Sequence, residues 1–264
     1  MTETYTRRAY HSGSWYSSDR IQLNRILEEF LSKAKSESNA EDGDSTQFLN
    51  FPRGIIAPHA GYSYSGPTAA YAYSALSKAI EKGWRGTIVV LHPSHHVYLQ
   101  NCAISNAHII ETPLGNLNVD YKLRDEILNI SKPSFSLMDQ NTDEDEHSGE
   151  MQYPYIAKAL LDSHMLSDSH IAILPVMVGS LATSTEDHYG KALAPILSRA
   201  NIFTIISSDF CHWGSRFRYT PTTALGYSKS GGEIHEFVSG LFENYYELYS
   251  SIFTEYDSNI LQNT

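Results

Sequence analysis

The amino-acid sequence predicts an α/β protein with a mostly parallel or mixed central sheet flanked by helices. Short, continuous apolar runs recur along the chain, and such runs are typical of strands buried on both faces. Between these runs lie segments whose apolar residues follow helical spacing. The predicted strands are Gly54–Pro58, Thr87–Leu91, Cys102–Ser105, Ile171–Val178 and Ile202–Ser207.

The first predicted helix is Arg20–Ala34, and its apolar residues recur at helical spacing. A polar, acidic segment at about residues 35–47 follows it, and we expect a solvated insertion there. The other predicted helices are Pro67–Ile80, Val119–Ile130, Pro154–Leu161 and Glu186–Arg199. Because no internal repeat divides the chain, we expect a single domain over residues 1–264.

Composition narrows the class of protein. The 264 residues include 19 Lys and Arg against 30 Asp and Glu, a formal net charge of −11. Such a chain repels polyphosphate, so we expect no nucleic-acid partner. The start of the chain lacks the apolar core of a signal peptide, and no apolar run approaches the ~18 residues that span a bilayer. The two cysteines, Cys102 and Cys211, exclude a disulfide scaffold and fit a reducing compartment.

Titratable side chains follow three of the predicted strands where each strand ends: His59, His95 with His96, and Asp209 with His212. Because the carboxyl ends of parallel strands share one edge of a sheet, we expect these groups to converge in one cleft. Imidazoles there can ligate a divalent metal or transfer protons near neutral pH. Two histidines with one carboxylate form the ligand set of non-haem Fe(II) sites. The alternative is that each histidine is a hydrogen-bonded loop residue.

The densest charge run is Thr142–Glu150. One interpretation is a solvated acidic face, or carboxylates placed favourably near a helix N-terminus. The other interpretation places the run beside the cleft. There, His147 and Glu150 would donate or accept hydrogen bonds that orient the ligating histidines from behind.

Three further features could belong to the cleft. Gly61 and Gly66 bracket an expected tight turn, which is either an ordinary turn or one that lets a ligand approach near Tyr62. Trp15 is predicted either to pack in the core or to line a pocket mouth. Cys211 beside His212 suggests a thiol nucleophile, but adjacent residues of an extended chain point in opposite directions, which disfavours that pairing.

Seven stretches, in order along the chain, resemble the Memo family (mediator of receptor-tyrosine-kinase-driven cell motility). They are HSGSWY at His11–Tyr16, IIAPHAGYSYSG at Ile55–Gly66, PSHH at Pro93–His96, TPL at Thr112–Leu114, QNTDEDEHSGEM at Gln140–Met151, PVMVG at Pro175–Gly179 and SSDFCHWGSRFRY at Ser207–Tyr219. The resemblance extends over about residues 9–219, which leaves residues 220–264 as a divergent tail. It implies a fold like that of class III extradiol non-haem iron dioxygenases.

The resemblance also implies a set of site residues. By motif, His59 and His95 are metal ligands, Asp209 and His212 line the pocket as catalytic groups, and Trp15 lies at its rim. We place His96 and Tyr62 with Trp15 as binding residues. The third ligand of the family is a cysteine in a segment reading approximately TICGRHPI, which this chain lacks. A soft thiolate favours Cu(I) or Fe(II), so its loss is expected to weaken metal binding.

Three functions are consistent with this resemblance. The first is a redox pocket holding copper or iron in a protein of cell motility and cytoskeletal signalling, located in the cytoplasm and also the nucleus. The second is a non-catalytic adaptor that binds a phosphotyrosine peptide or other signalling proteins, without inserting into a membrane. The third is an inactive, truncated isoform that lacks the cysteine ligand.

Overall fold

The structure is a computed structural model that describes residues 4–38, 52–209, 212 and 215–218. The strands are β1 (Tyr5–Arg7), β2 (Gly54–Ala57), β3 (Gly86–Pro93), β4 (Cys102–Ile104), β5 (Ala107–Ile110), β6 (Leu117–Asn118), β7 (Phe135–Leu137), β8 (Ile171–Val178) and β9 (Ile202–Ser207). The α-helices are α1 (Arg20–Ser38), α2 (Tyr62–Glu81), α3 (Tyr121–Leu128), α4 (Gln140–Asp145), α5 (His147–Glu150), α6 (Tyr153–Asp162) and α7 (Thr183–Leu197). A short 3₁₀ helix covers Ser215–Phe217.

Six of the described strands form the central sheet in the order β2-β9-β3-β8-β4-β7. The first four run parallel, and β4 is antiparallel to β8 but parallel to β7. The predicted α/β class with a mostly parallel sheet flanked by helices is therefore confirmed. Because β2, β9 and β3 are neighbours, the segments that follow them leave the sheet at the same edge.

The central strands are apolar because both of their faces are covered. Ile88, Val89 and Val90 in β3 are fully buried, which matches the continuous apolar run that predicts this strand. The helix pair α1 and α2 packs closely at Gly66, where an added Cβ would overlap the ring of Phe30. The absence of a side chain at Gly66 therefore lets two helices approach each other.

Several predicted boundaries differ from the structure. Helix α2 begins at Tyr62 rather than Pro67, so the expected turn at Tyr62–Ser65 is helical. Pro67 is the sixth residue of this helix, so the helix continues through it without the one backbone hydrogen bond that an N–H at this position would donate to the Ser63 carbonyl. Helix α1 continues to Ser38, so the first residues of the expected insertion are helical. The rest of that insertion, at residues 39–47, and the tail at residues 220–264 lie outside the described residues.

A second sheet, in the order β1-β5-β6, lies apart from the central one. Its strands are only two to four residues long, and the sequence analysis predicts none of them. Strand β1 pairs in parallel with β5, which brings the start of the chain beside residues about one hundred positions later. The pairing fixes the position of Arg7, which is fully buried.

Within the described ranges, none of the helices has both the length and the apolar character needed to cross a bilayer.

Candidate metal centre

Three imidazole rings meet at the carboxyl edge of the central sheet. His59 follows β2, His95 follows β3, and His147 is the first residue of α5. The ring centroids of His59 and His95 lie 5.2 Å apart, and those of His147 lie 5.7 Å from His59 and 4.6 Å from His95. One ligand nitrogen from each ring lies within 4.8 Å of the other two. His147 is thus a member of the ligand cluster, whereas the sequence analysis expected it to orient the ligating histidines from behind.

The hydroxyl of Ser207, the last residue of β9, determines which nitrogen of His59 carries the proton. Ser207 Oγ donates to the Ser148 carbonyl at 2.8 Å, and it accepts a hydrogen bond from Gln152 Nε2 at 3.0 Å. Ser207 Oγ also lies 2.9 Å from His59 Nδ1, and because its own proton is directed at Ser148, we assign Nδ1 as the protonated nitrogen. Burial lowers the pKa of His59, although Asp209 opposes this. The ring is therefore neutral near pH 7 and keeps a lone pair on Nε2.

Glu146 orients His95 through two hydrogen bonds. Its carboxylate accepts from His95 Nδ1 at 2.8 Å and from the His95 backbone N–H at 2.5 Å. Burial opposes a charge on Glu146, but hydrogen bonds from His95 and Ser148 outweigh it and hold the pKa of Glu146 well below its usual range. The same hydrogen bond raises the pKa of His95. His95 Nδ1 is thus occupied, which leaves Nε2 for a ligand.

Glu146 was missed by the sequence analysis, which assigned the orienting role to its neighbours in the acidic run. The only signal was the run itself. Asp143, Glu144, Glu146 and Glu150 are all buried, so the interpretation of a solvated acidic face is wrong for these four residues.

His147 carries a nitrogen without a hydrogen-bond partner. Its Nδ1 is buried and makes no hydrogen bond with any described residue, although Glu146 Oε1 lies 3.5 Å away. Burial lowers the pKa of His147 to about 4, with Glu146 acting in the opposite direction. The ring is therefore neutral near pH 7 and offers lone-pair density that no donor in the described part of the chain uses. Unpaired buried nitrogen is costly, so this atom is suited to an added ligand.

Asp209 lies between two imidazoles. Its Oδ1 accepts from the His59 backbone N–H at 2.7 Å, and its Oδ2 lies 3.9 Å from His59 Nε2. His212 Nε2 lies 3.4 Å from the same Oδ2 and its side chain is more than half exposed. The expected convergence of Asp209 and His212 with His59 is thus present in the geometry. Cys211, proposed from the sequence as a possible nucleophile, lies outside the described residues.

The predicted binding residues occupy different environments. Trp15 is 36% exposed and stacks on His147 with ring centroids 4.3 Å apart, so it lies at the rim of the centre and not in the core. His96 meets the edge of His147 at 6.0 Å. Tyr62 is buried, and its hydroxyl donates to the Met151 carbonyl. Its ring is part of the core below the rim.

Glu150 is not hydrogen-bonded to the three clustered rings. It accepts from Arg7 Nη1 at 2.7 Å, from Tyr16 Oη at 2.7 Å and from the backbone N–H of His11 at 2.8 Å. Its Oε2 also lies 3.1 Å from His11 Nδ1. Burial opposes a charge on Glu150, but Arg7 and these hydrogen bonds together lower its pKa. Glu150 therefore ties the start of the chain to α5.

Arg7 holds the segment that carries Glu146 and His147. Its guanidinium forms an ion pair with Asp143 Oδ1 at 2.9 Å and donates to the carbonyls of Asp143 at 2.8 Å and Glu146 at 3.0 Å. A planar guanidinium has five N–H donors in a fixed arrangement, so it can bridge several backbone turns at once. No local pattern in the sequence indicates this role, because residues 7 and 143 are 136 positions apart.

Fold and site together define a class: an α/β protein with a cluster of three histidines at the carboxyl edge of its central sheet. A family model described as Memo-like protein matches residues 7–262 of the chain. Protein MEMO1 of Homo sapiens is 41% identical over 235 residues, which cover 89% of this chain and 70% of that protein. Protein MEMO1 of Danio rerio is 42% identical over the same shares. Protein memo-1 homolog of Caenorhabditis elegans is 40% identical over 218 residues, which cover 82% of this chain and 55% of that protein.

The chain belongs to the Memo family. The match to the family model continues beyond Tyr219, where the motifs quoted from the sequence end.

Proposed function

We propose that this protein binds a transition-metal ion, copper or iron, through His59, His95 and His147, and that the site serves redox chemistry. The single observation that carries the proposal is the convergence of three ligand nitrogens within 4.8 Å of one another. They come from positions 59, 95 and 147, and nothing in local folding requires them to meet. Imidazole nitrogen is a suitable ligand for both copper and iron.

The chemistry of the donor set fits such an ion. Metal ligation requires neutral imidazole, and burial lowers the pKa of both His59 and His147. Ser207 and Glu146 occupy the Nδ1 atoms of His59 and His95, which is the usual way that ligating histidines are oriented. The Glu146 carboxylate also supplies negative charge beside the site. Three histidines thereby provide a ligand set that does not need the cysteine implied by the family resemblance.

When bound, copper or iron would supply one-electron redox chemistry and polarise an oxygen ligand. The surrounding residues would manage protons. His212 is exposed enough to exchange protons with water, and Asp209 lies between it and His59. We assign His212 as the proton donor and Asp209 as the base of the pocket. Trp15 and His96 form the side from which a substrate would approach.

The test is metal content. We expect the full chain, stripped with a chelator and reloaded with Cu(I), Cu(II) or Fe(II), to retain about one ion per chain by elemental analysis for at least one of these ions. The double variant His59→Ala/His95→Ala should retain less than about a tenth of that amount, because two of three ligands are gone. The matched control His170→Ala/His188→Ala removes two exposed histidines and should load normally. Full retention in the first variant would refute the proposal.

A second prediction concerns Glu146. Glu146→Gln keeps the shape of the side chain but removes the charge that orients His95, so we expect metal affinity to fall by about 10- to 100-fold. A competition titration against a chromogenic chelator measures this loss. Asp145→Asn is the matched control, because Asp145 belongs to the same acidic run but is exposed. Equal losses in the two variants would indicate a general charge effect instead of an orienting role.

A second candidate function is supported by the rim. Trp15 and Tyr10 are both exposed, and their rings flank His11, which suits an aromatic side chain on a peptide. We infer from this that the protein acts as an adaptor that binds a phosphotyrosine peptide or another signalling protein. Calorimetry with matched peptides decides it: tighter binding with phosphate on the tyrosine, lost in Trp15→Ala, supports this role. Equal affinity with and without phosphate rejects it.

The proposed cellular role is in cell motility and cytoskeletal signalling, in the cytoplasm and the nucleus. Support comes only from membership of the Memo family. Migration of cells that carry the wild-type chain or His59→Ala/His95→Ala in place of the endogenous protein tests it. Equal migration of the two cell lines would mean that the role in motility does not require His59 and His95.

A further inference from the structure

A cavity of about 450 Å³ lies between helix α7 and the central sheet. The sheet side is formed where β3, β8 and β9 end, at Leu91–Pro93, Val178–Gly179 and Ile206–Ser208. None of the three clustered histidines is among the described residues that line this cavity. The volume falls within the range of pockets that hold small molecules. The cavity is therefore distinct from the histidine cluster, although Ser207, which contacts His59, also lines it.

One face of α7 forms the other wall. The residues of this helix that line the cavity are Thr183, Glu186, Asp187, Tyr189, Gly190, Leu193 and Leu197, and most of them lie three or four positions apart. The two carboxylates are in the first half of the helix, and the two leucines are in the second. Since α7 follows β8, its polar half begins at the carboxyl edge of the sheet. Residues 183 and 197 are about 21 Å apart along the axis at ~1.5 Å per residue, so the cavity is long and narrow.

At the polar end, one of the two carboxylates has no basic side chain beside it among the described residues. Asp187 is paired with Lys191 at 2.9 Å. The Glu186 carboxylate is half-buried and forms no ion pair or hydrogen bond with any described residue. No lysine or arginine is among the described lining residues. A carboxylate that lines the cavity, with no lysine or arginine among the described lining residues, makes this end complementary to a cation.

We propose that this cavity binds a long-chain aliphatic amine. The ammonium head lies at Glu186, near the carboxyl edge of the sheet, where Thr183 and Ser208 contribute hydroxyls. The alkyl chain extends along Gly190, Leu193 and Leu197 and removes apolar surface from water. The length of the cavity selects a long chain, its apolar end at Leu193 and Leu197 selects an aliphatic one, and the Glu186 carboxylate selects the ammonium group.

Calorimetry on the full chain tests the proposal with decylamine, decanol and decanoate, each below its micellar concentration. These probes share a chain length and differ in charge. We expect decylamine to bind most tightly and decanoate most weakly. Glu186→Gln should reduce the affinity for decylamine about five- to tenfold, to the level of decanol, because the charge pair is lost. Glu81→Gln, an exposed carboxylate elsewhere, should change nothing.

A second variant tests the location. Gly190→Leu fills the middle of the cavity and should weaken binding of decylamine and decanol by more than tenfold. Leucine has a higher helix propensity than glycine, so the midpoint temperature of thermal unfolding should not fall. Leu193→Trp, which fills the cavity from the next turn, should have the same effect on binding. Failure of every probe to bind the wild-type chain would overturn the proposal, as would binding of decanoate as tight as that of decylamine or unchanged binding in both filled variants.

Discussion

His147→Ala is expected to reduce the affinity for copper or iron by at least about 100-fold. The variant removes one of three ligand nitrogens, so its cost should exceed the 10- to 100-fold typical of a residue that only orients a ligand. The resemblance to the Memo family implies a cysteine as third ligand, but this chain lacks the segment that carries it. His147 occupies a position where a third donor can meet His59 and His95. A chelator competition titration measures the affinity.

His96→Ala is the matched control for this prediction. Its ring also contacts His147, but His96 is not a member of the ligand cluster, so its removal should cost less than threefold. His147→Cys adds a further check, because a thiolate in the same place should restore binding and shift the preference toward Cu(I). Wild-type affinity in His147→Ala would mean that the third ligand comes from elsewhere in the chain.

Arg7→Met should destabilise the protein by about 3–5 kcal/mol. Removing one partner of a buried ion pair leaves the other charge unpaired, and Arg7 serves two carboxylates, Asp143 and Glu150. The backbone carbonyls of Asp143 and Glu146 also lose their donors. Chemical denaturation at pH 7 measures the loss. Arg25→Met, which breaks an exposed pair with Glu29, should cost under about 0.5 kcal/mol.

The loss caused by Arg7→Met should depend on pH in a definite direction. In the wild-type protein the pKa of Glu150 is lowered despite burial, and Arg7 is the largest of the lowering influences. The stabilisation from Glu150 is therefore present above its unfolded pKa of about 4.3 and is lost as pH falls. Without Arg7 this pKa rises toward the value that burial favours. The stability difference between the two proteins should be widest near pH 7 and narrow toward pH 4, and a constant difference would contradict this account.

The long buried strands could be predicted closely. Ile171–Val178 and Ile202–Ser207 have the predicted bounds, because a strand covered on both faces must be apolar throughout. Helices were harder to delimit. The periodicity of α2 begins at an alanine-rich segment, whereas its first turn contains Tyr62, Ser63 and Tyr64, which carry no helical pattern. The two-residue strand β6 could not be predicted, since so short a segment has no periodicity.

Within the candidate site, residues at strand ends could be predicted from the sequence, whereas residues on connecting segments could not. His59, His95 and Asp209 could be placed together from sequence, because parallel strands deliver their carboxyl ends to one edge. Glu146 could not be distinguished from the other carboxylates of its run. Which member of that run faces the histidines depends on α4 and α5, two helices of six and four residues.

The sequence by itself determined the α/β class and the membership of His59, His95 and Asp209 in one cleft, because burial dictates an apolar strand and strand direction dictates the edge. Only the tertiary structure decided that His147 joins the cluster and that Glu146 orients His95. Those positions depend on Arg7, which lies 136 residues before Asp143 and connects the two segments through buried charges. Such contacts leave no periodic trace in the chain, since each end is specified by a partner that is distant in sequence.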